Sequence, residues 1–161
     1  MNSSAWFRIV ILAVAMGFSH VSRGSSIDEA EIKAMMERTV KAYAVRDLAT
    51  VLALYRNDEL MFFDLVPPAK DCCGYESAYK KTKAFFDGTV GPITAEWSDI
   101  AVKTDHDLAF ATAFLHFSFT AKDGRKGDVR GRSTLVFRRI DDQWTCIHQH
   151  DSQPTEVVFK W

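Results

Sequence analysis

The sequence has few of the features that identify cofactor-binding and nucleic-acid-binding proteins. It contains neither a Gly-x-Gly-x-x-Gly nor a Walker-type pattern, so its glycines predict no phosphate-binding loop. Its 20 basic and 21 acidic residues leave a net charge of -1, which gives no general attraction to nucleic acid. The small basic groups at 80–83 and 125–126 are interpreted as solvated surface. We therefore expect no nucleic-acid partner.

Cysteine is scarce, and its positions exclude the usual frameworks. Cys72 and Cys73 are adjacent and Cys146 lies far along the chain, so three thiols cannot form a closed set of disulfides. One of the adjacent pair could still bridge to Cys146 in an oxidising compartment. No Cys-x-x-Cys spacing occurs, and His148-x-His150 lacks a third nearby ligand in the sequence. We expect no metal and no cofactor.

The first 24 residues differ from the rest. Arg8 precedes an apolar run over residues 9–18, and small and polar residues follow it. This pattern resembles a secretory signal peptide and is too short for an ordinary transmembrane helix; the alternatives are an uncleaved membrane anchor or a wrongly assigned start codon. We predict a signal peptide at 1–24 and a single domain at 25–161 that is secreted or periplasmic. Once the signal is cleaved, no membrane partner is expected.

The remaining chain predicts helices followed by a sheet. Apolar residues at three- and four-residue spacing predict helices at 27–45, 48–55 and 75–86, the second capped by Asp47. Alternating patterns and turn residues predict strands at 60–66, 94–104, 108–121, 127–140 and 143–152. The strand 108–121 is apolar on both faces, so both are expected to be covered. The fold class is α+β, with a curved antiparallel sheet that encloses a cavity against the helices.

The last strand carries the main candidate site. Side chains alternate along a strand, so His148, His150 and Ser152 should follow an apolar base of Trp144 and Cys146 on one face. The two imidazoles could shuttle protons, or they could only rigidify the wall through hydrogen bonds. The same parity places Gln149 on the opposite, surface side.

Other polar residues complete this hypothetical pocket. Asp64 lies in an otherwise apolar strand and could be a buried acid or base, or an aspartate bonded to backbone amides of the next loop. Arg132 could pair with Asp64 or bind an anionic ligand, or it could face solvent. His116 alternates with phenylalanines and is either a ligand contact or a core histidine. Trp97 is interpreted as apolar wall or core, and Tyr55 is expected to face inward from the second helix.

Several motifs resemble the SnoaL-like subgroup of the nuclear-transport-factor-2-like superfamily, which includes ketosteroid isomerases. They are Phe63-Asp64 before Pro67-Pro68, Gly91-Pro92-Ile93, Gly131-Arg132-Ser133-Thr134, Asp142-Gln143-Trp144 and the run 148–154. The resemblance covers about residues 27–155. It implies a cystatin-like, cone-shaped α+β barrel wrapped around N-terminal helices, a pocket inside the cone, and homodimers through the sheet. In the steroid-isomerase pattern an aspartate base acts with a tyrosine, for which Asp64 and Tyr43 or Tyr55 are candidates. Many subgroup members carry glutamate where this chain has Gln149.

Two functions follow, because the superfamily contains both enzymes and binding domains. In the first, an exported domain binds a small, partly apolar or anionic molecule and, if it is an enzyme, transfers a proton next to a carbonyl. The catalytic candidates are His150 and Asp64; the ligand-binding candidates are Arg132, His148, Ser152, His116, Trp97 and Tyr55. In the second, the domain is a non-catalytic dimerisation or interaction module with a vestigial pocket.

Overall fold

The structure, a computed structural model, describes residues 25–56, 58–63 and 73–154. Three helices precede most of the sheet: α1 (Ser25–Ala44), α2 (Leu48–Ala53) and α3 (Tyr75–Gly88). The predicted signal peptide at 1–24, Asp64 and Cys72 lie outside the described residues. No helix of the described part is long and apolar enough to cross a membrane.

Local hydrogen bonds fix where the helices start and how they attach to the sheet. Asp47 caps α2, as predicted, because its carboxylate accepts from the Thr50 amide at 3.1 Å. Beyond the end of α2, the Leu54 carbonyl accepts from the Cys146 amide at 2.9 Å. Asp28 in the first turn of α1 accepts hydrogen bonds from Arg139 and the Trp144 indole. These contacts hold α1 and α2 against the last two strands.

Five strands form one curved, unclosed sheet. They are β1 (Met61–Phe63), β2 (Thr89–Asp105), β3 (Leu108–Ala121), β4 (Lys126–Ile140) and β5 (Gln143–Ser152). Their order is β1-β5-β4-β3-β2, with β1 parallel to β5 and the other pairs antiparallel. The predicted α+β class, with a curved sheet around N-terminal helices, is confirmed. β2 starts at Thr89, before the predicted start at 94. The prediction missed these residues because register shifts at 90–94 and 98–101 interrupt the alternation of the strand.

The core lies between the inner face of the sheet and the helices. Small side chains, Ala109, Ala111 and Ala113, occupy the inner face of β3 in the buried cluster that α1 also joins. Farther along the same face, Leu115, Phe117 and Phe119 are larger and only partly buried. The sheet therefore packs tightly against the helices at one end and leaves a space at the other.

A β-bulge in β5 reverses the predicted orientation of the end of the chain. Phe137 pairs with Cys146, but the preceding residue Val136 pairs with His148, so Ile147 is an extra residue. Cys146 faces the core as predicted, whereas beyond the bulge the buried positions are 149 and 151. The prediction that Trp144, Cys146, His148, His150 and Ser152 share one face is therefore wrong after Cys146. The predicted surface position of Gln149 is wrong for the same reason.

Candidate functional site

A cavity of about 240 Å³ lies at the open end of the cone, between α3 and the inner face of the sheet. Its wall is mostly apolar and includes seven aromatic residues: Tyr43, Tyr55, Phe62, Phe85, Trp97, Phe117 and Phe119. The Tyr43 ring meets the Phe85 and Phe117 rings edge-on, with centroids 6.4 and 5.2 Å apart. Such edge contacts fix the orientation of the rings, so they also fix the shape of the apolar surface that a ligand would contact.

Asp151 forms the polar end of this cavity. It is 8% exposed, and its Oδ1 accepts a hydrogen bond from the Ser133 hydroxyl at 2.5 Å. The Trp97 indole N–H donates to the Ser133 oxygen at 3.0 Å. Because an indole N–H can only donate, the serine oxygen must accept it and direct its own proton to Asp151. This geometry holds one carboxylate oxygen in a fixed direction.

The second carboxylate oxygen is held by Gln149. The Gln149 amide nitrogen donates to Asp151 Oδ2 at 2.8 Å, and its oxygen accepts from the Tyr55 hydroxyl at 2.6 Å. Gln149 is 3% exposed and Tyr55 is 5% exposed. The two bonds together determine which way the amide points. Both oxygens of Asp151 thus receive a donor, an arrangement that suits an ionised carboxylate.

Lys81 places a cationic side chain in the cavity wall. It lies on the face of α3 that also presents Ser77, Ala78 and Thr82, and its ammonium lies 5.7 Å from the centre of the Phe62 ring. The side chain is half-buried, so its methylene groups cover apolar surface while the charge reaches the cavity. The interpretation of this lysine as ordinary solvated surface is therefore wrong.

The cavity wall contains only part of the predicted site. Trp97 and Tyr55 line it, as described above. Arg132 and Ser152 pair with each other on the opposite, outer face of the sheet, since their neighbours Ser133 and Asp151 face inward. These two residues therefore cannot form the polar end of the cavity. Asp64 lies outside the described residues, and its catalytic role stays a prediction.

The histidines also lie on the outer face. The rings of His148 and His150 lie 5.6 and 5.9 Å from the ring of Phe63, which is itself 43% exposed. His116 lies on the outer face of β3, with Nε2 at 3.4 Å from Asp128 Oδ1 but without hydrogen-bond geometry. The predicted placement of the three histidines in the cavity is therefore wrong, because parity and the bulge turn them outward.

Burial of Cys146 and the scarcity of clustered metal ligands limit the chemistry of the interior. Burial raises the pKa of the Cys146 thiol far above its ordinary value, so it stays protonated and donates to the His148 carbonyl. It is not an activated nucleophile. Within the described ranges, no group of three or more His, Cys, Asp or Glu side chains could hold a metal ion.

Sequence reasoning missed Gln149, Asp151 and Lys81. A signal for the first two was present: Cys146 and Ile147 are consecutive apolar residues, and such a pair breaks the alternation expected of a regular strand. An inserted residue at that point moves Gln149 and Asp151 inward. Lys81 carried no comparable signal, because a lysine among other lysines on an amphipathic helix is usually exposed.

Comparisons with known proteins agree with this architecture. The sequence profile of the SnoaL-like domain matches residues 32–156. No curated protein sequence matches the chain. A solved NTF2-like protein of unknown function from Pseudomonas putida is 26% identical; the match covers 82% of this chain and 90% of that one, with a TM-score of 0.71.

Two further solved structures differ in the function that their descriptions propose. One from Xanthomonas campestris, described as a proposed calcium/calmodulin-dependent protein kinase II association domain, is 25% identical over 79% of this chain and 88% of that one, with a TM-score of 0.65. The other, a proposed scytalone dehydratase from Novosphingobium aromaticivorans, is 14% identical over 81% of this chain and 86% of that one, with a TM-score of 0.71. At that identity the second shows the fold alone.

Proposed function

The chain belongs to the SnoaL-like family, and we propose that it binds a small, largely apolar molecule in its cone cavity through Asp151. The observation that carries this proposal is the buried hydrogen-bond chain from Trp97 and Ser133 on one side and from Tyr55 and Gln149 on the other. Both arms end on the carboxylate of Asp151. A carboxylate oriented in this way at the end of an aromatic cavity suits a ligand with an apolar body and one polar group.

We further propose that the cavity supports proton transfer next to a carbonyl. Asp151 would accept the proton from the carbon, and the electron pair of the broken C–H bond would move into the carbonyl to form an enolate. The ammonium of Lys81, in the same wall, would stabilise the negative oxygen. In a ketone whose enolate is conjugated with a carbon–carbon double bond, return of the proton to the far carbon of that bond re-forms the carbonyl and gives isomerisation. Loss of a neighbouring hydroxyl, with that proton, gives dehydration.

A ligand screen with matched variants tests the binding proposal. The purified chain is screened by thermal shift against small carboxylates, steroids, aromatic ketones and polyketide-like compounds. A ligand at about one hundred times its Kd stabilises the folded state by roughly 2.7 kcal/mol, which is readily measured. Asp151→Asn should abolish the shift, whereas His150→Ala on the outer face should keep it. Undiminished binding by folded Asp151→Asn, or loss of binding in His150→Ala, would contradict the proposal.

The catalytic step has a separate test. Any ketone that binds is incubated with the chain in heavy water, and exchange of the protons next to its carbonyl is followed by NMR. We expect exchange with the native chain and at least about a hundredfold slower exchange with Asp151→Asn, the effect typical of removing a general base. Equal exchange rates in the two chains would contradict the proposed proton transfer and would leave only the binding proposal.

Export is proposed from the amino-terminal sequence. The basic start and the short apolar run over 9–18 support cleavage of a signal peptide near residue 24. Amino-terminal sequencing of the protein recovered outside the cytoplasm tests this proposal. An intact Met1 on the exported or membrane-bound protein would favour the uncleaved anchor instead.

A second function, a dimerisation or interaction module, has its own support. Leu108, Phe110 and Phe114 on the outer face of β3 are 49%, 49% and 53% exposed, an unusual row of large apolar side chains on a surface. A second copy of the chain could cover this row through its sheet. Light scattering of the native chain and of Phe110→Ser/Phe114→Ser tests it. A native monomer contradicts assembly through this face; a native dimer that the double substitution separates supports it.

A further inference from the structure

The outer face of the sheet near β1 carries two histidines on one side of one strand. His148 and His150 are two residues apart on β5, past the bulge that turns both of them outward. Alternate residues of a strand lie about 6.5–7 Å apart along one face, a spacing that two imidazoles can close to bind one ion. His148 is half-buried and His150 is exposed.

These imidazoles have no structural hydrogen-bonding role in the described part of the chain. Neither makes a side-chain hydrogen bond or an ion pair there, and the contact that they share is the ring of Phe63, which lies steeply inclined to both imidazoles. His106 differs, since its Nδ1 lies 2.7 Å from Asp105. The ring nitrogens of His148 and His150 are therefore available to a ligand without breaking an existing bond.

Met61 supplies the third donor that the sequence spacing did not reveal. β1 runs parallel to β5 with Met61 opposite His148 and Phe63 opposite His150. Met61 is 46% exposed, and its neighbour Phe62 faces the cavity, so the thioether lies on the same outer face as the imidazoles. Paired residues lie about 4.8 Å apart, and the three rotatable bonds of methionine allow its sulfur to reach the pair.

We propose that His148, His150 and Met61 bind a copper ion in the Cu(I) state on the outer face of the sheet. Two imidazoles and a thioether form a neutral, soft donor set, which favours Cu(I) over harder cations. The site lies on the opposite side of the sheet from the cavity and is independent of the proposed cavity function.

Copper competition with matched variants tests the site. All chains carry Cys72→Ser and Cys73→Ser, because exposed thiols such as Cys73 would bind Cu(I) themselves. Cu(I) is kept reduced without oxygen and competed against bathocuproine disulfonate. The parent chain should retain one equivalent. His148→Ala/His150→Ala should lose it, and Met61→Leu should weaken binding by at least about tenfold, equivalent to 1.4 kcal/mol.

The matched control is His106→Ala, which removes an exposed histidine from a turn away from the site and should leave affinity unchanged. Melting curves of every variant are recorded, and exposed positions should change stability by no more than about 0.5 kcal/mol. Three results would overturn the proposal: no copper retained by the parent chain, full retention by the double-histidine variant, or full affinity in Met61→Leu. Displacement of Cu(I) by equimolar Zn²⁺ would also overturn the soft-donor assignment.

Discussion

Replacing Gln149 by leucine should strongly destabilise the domain. Gln149 is 3% exposed and bonds the Tyr55 hydroxyl at 2.6 Å and the Asp151 carboxylate at 2.8 Å. Leucine fills much of the same volume but can form neither bond. A buried group that loses its partner costs about 1–3 kcal/mol, so the two losses amount to about 2–6 kcal/mol. The apolar side chain recovers part of this energy by burial, which favours the lower end of the range.

Urea denaturation and thermal unfolding of the native chain, Gln149→Leu and His150→Ala measure this difference. A loss of 2 kcal/mol should lower the Tm by roughly 8 °C in a domain of this size. His150→Ala, one residue away on the outer face, should stay within about 0.5 kcal/mol of the native chain. If the leucine variant is as stable as the native chain, or if His150→Ala loses as much, the inward orientation of Gln149 is refuted.

Three further outcomes are expected. Gly127→Ala should destabilise the folded chain by about 1–3 kcal/mol in thermal unfolding, because the new Cβ would lie 2.5 Å from the Phe119 ring and displace it. A variant as stable as the native chain would show that the Phe119 ring is not held in that position. At pH 8, iodoacetamide should modify exposed Cys73 rapidly and Cys146 only after denaturation, because burial raises the pKa of the Cys146 thiol; mass spectrometry that finds both modified in the folded chain would contradict this. A hydrogen bond from the hydroxyl of the threonine three residues on holds the pKa of Asp47 below its ordinary value of 3.8. The ionised Asp47 cap therefore stabilises the folded chain above pH 3.8, and this stabilisation is lost as the pH falls through the lower pKa of the folded state. Asp47→Asn should flatten the acid side of a plot of urea midpoint against pH, and an unchanged acid side would contradict the cap.

Much of the fold could be predicted because turns and alternation agree. The bounds of β3 and β5 follow directly from the sequence, since short acidic turns separate the long alternating strands. In those turns His106, Asp141 and Asp142 adopt positive φ angles of 52°, 48° and 59°. Such angles are rare except in glycine, asparagine, aspartate and histidine, so the residue types themselves mark the corners.

The cavity's polar end could not be predicted in the same way. A hydrophobic pattern specifies strand register only where one face is clearly apolar. From 148 to 152 both faces of β5 are polar, so the sequence does not show whether His148 and His150 or Gln149 and Asp151 face the cavity. The bulge decides between them. The consecutive apolar residues Cys146 and Ile147 indicate a break in alternation, but the pairing of β5 with β4 decides where the extra residue lies.

The alternation of β5 separates two kinds of chemistry that the sequence places side by side. His150 and Asp151 are consecutive, and consecutive residues of a strand face opposite sides of the sheet, so they cannot act on one ligand as an acid–base pair. Any partner of Asp151 in the cavity must come from another element, such as Lys81 on α3. The substitutions Asp151→Asn and His148→Ala/His150→Ala should therefore act independently. Combined in one chain, they should remove ligand binding and copper binding to the same extents as they do separately; a departure from additivity would show that the strand couples its two faces.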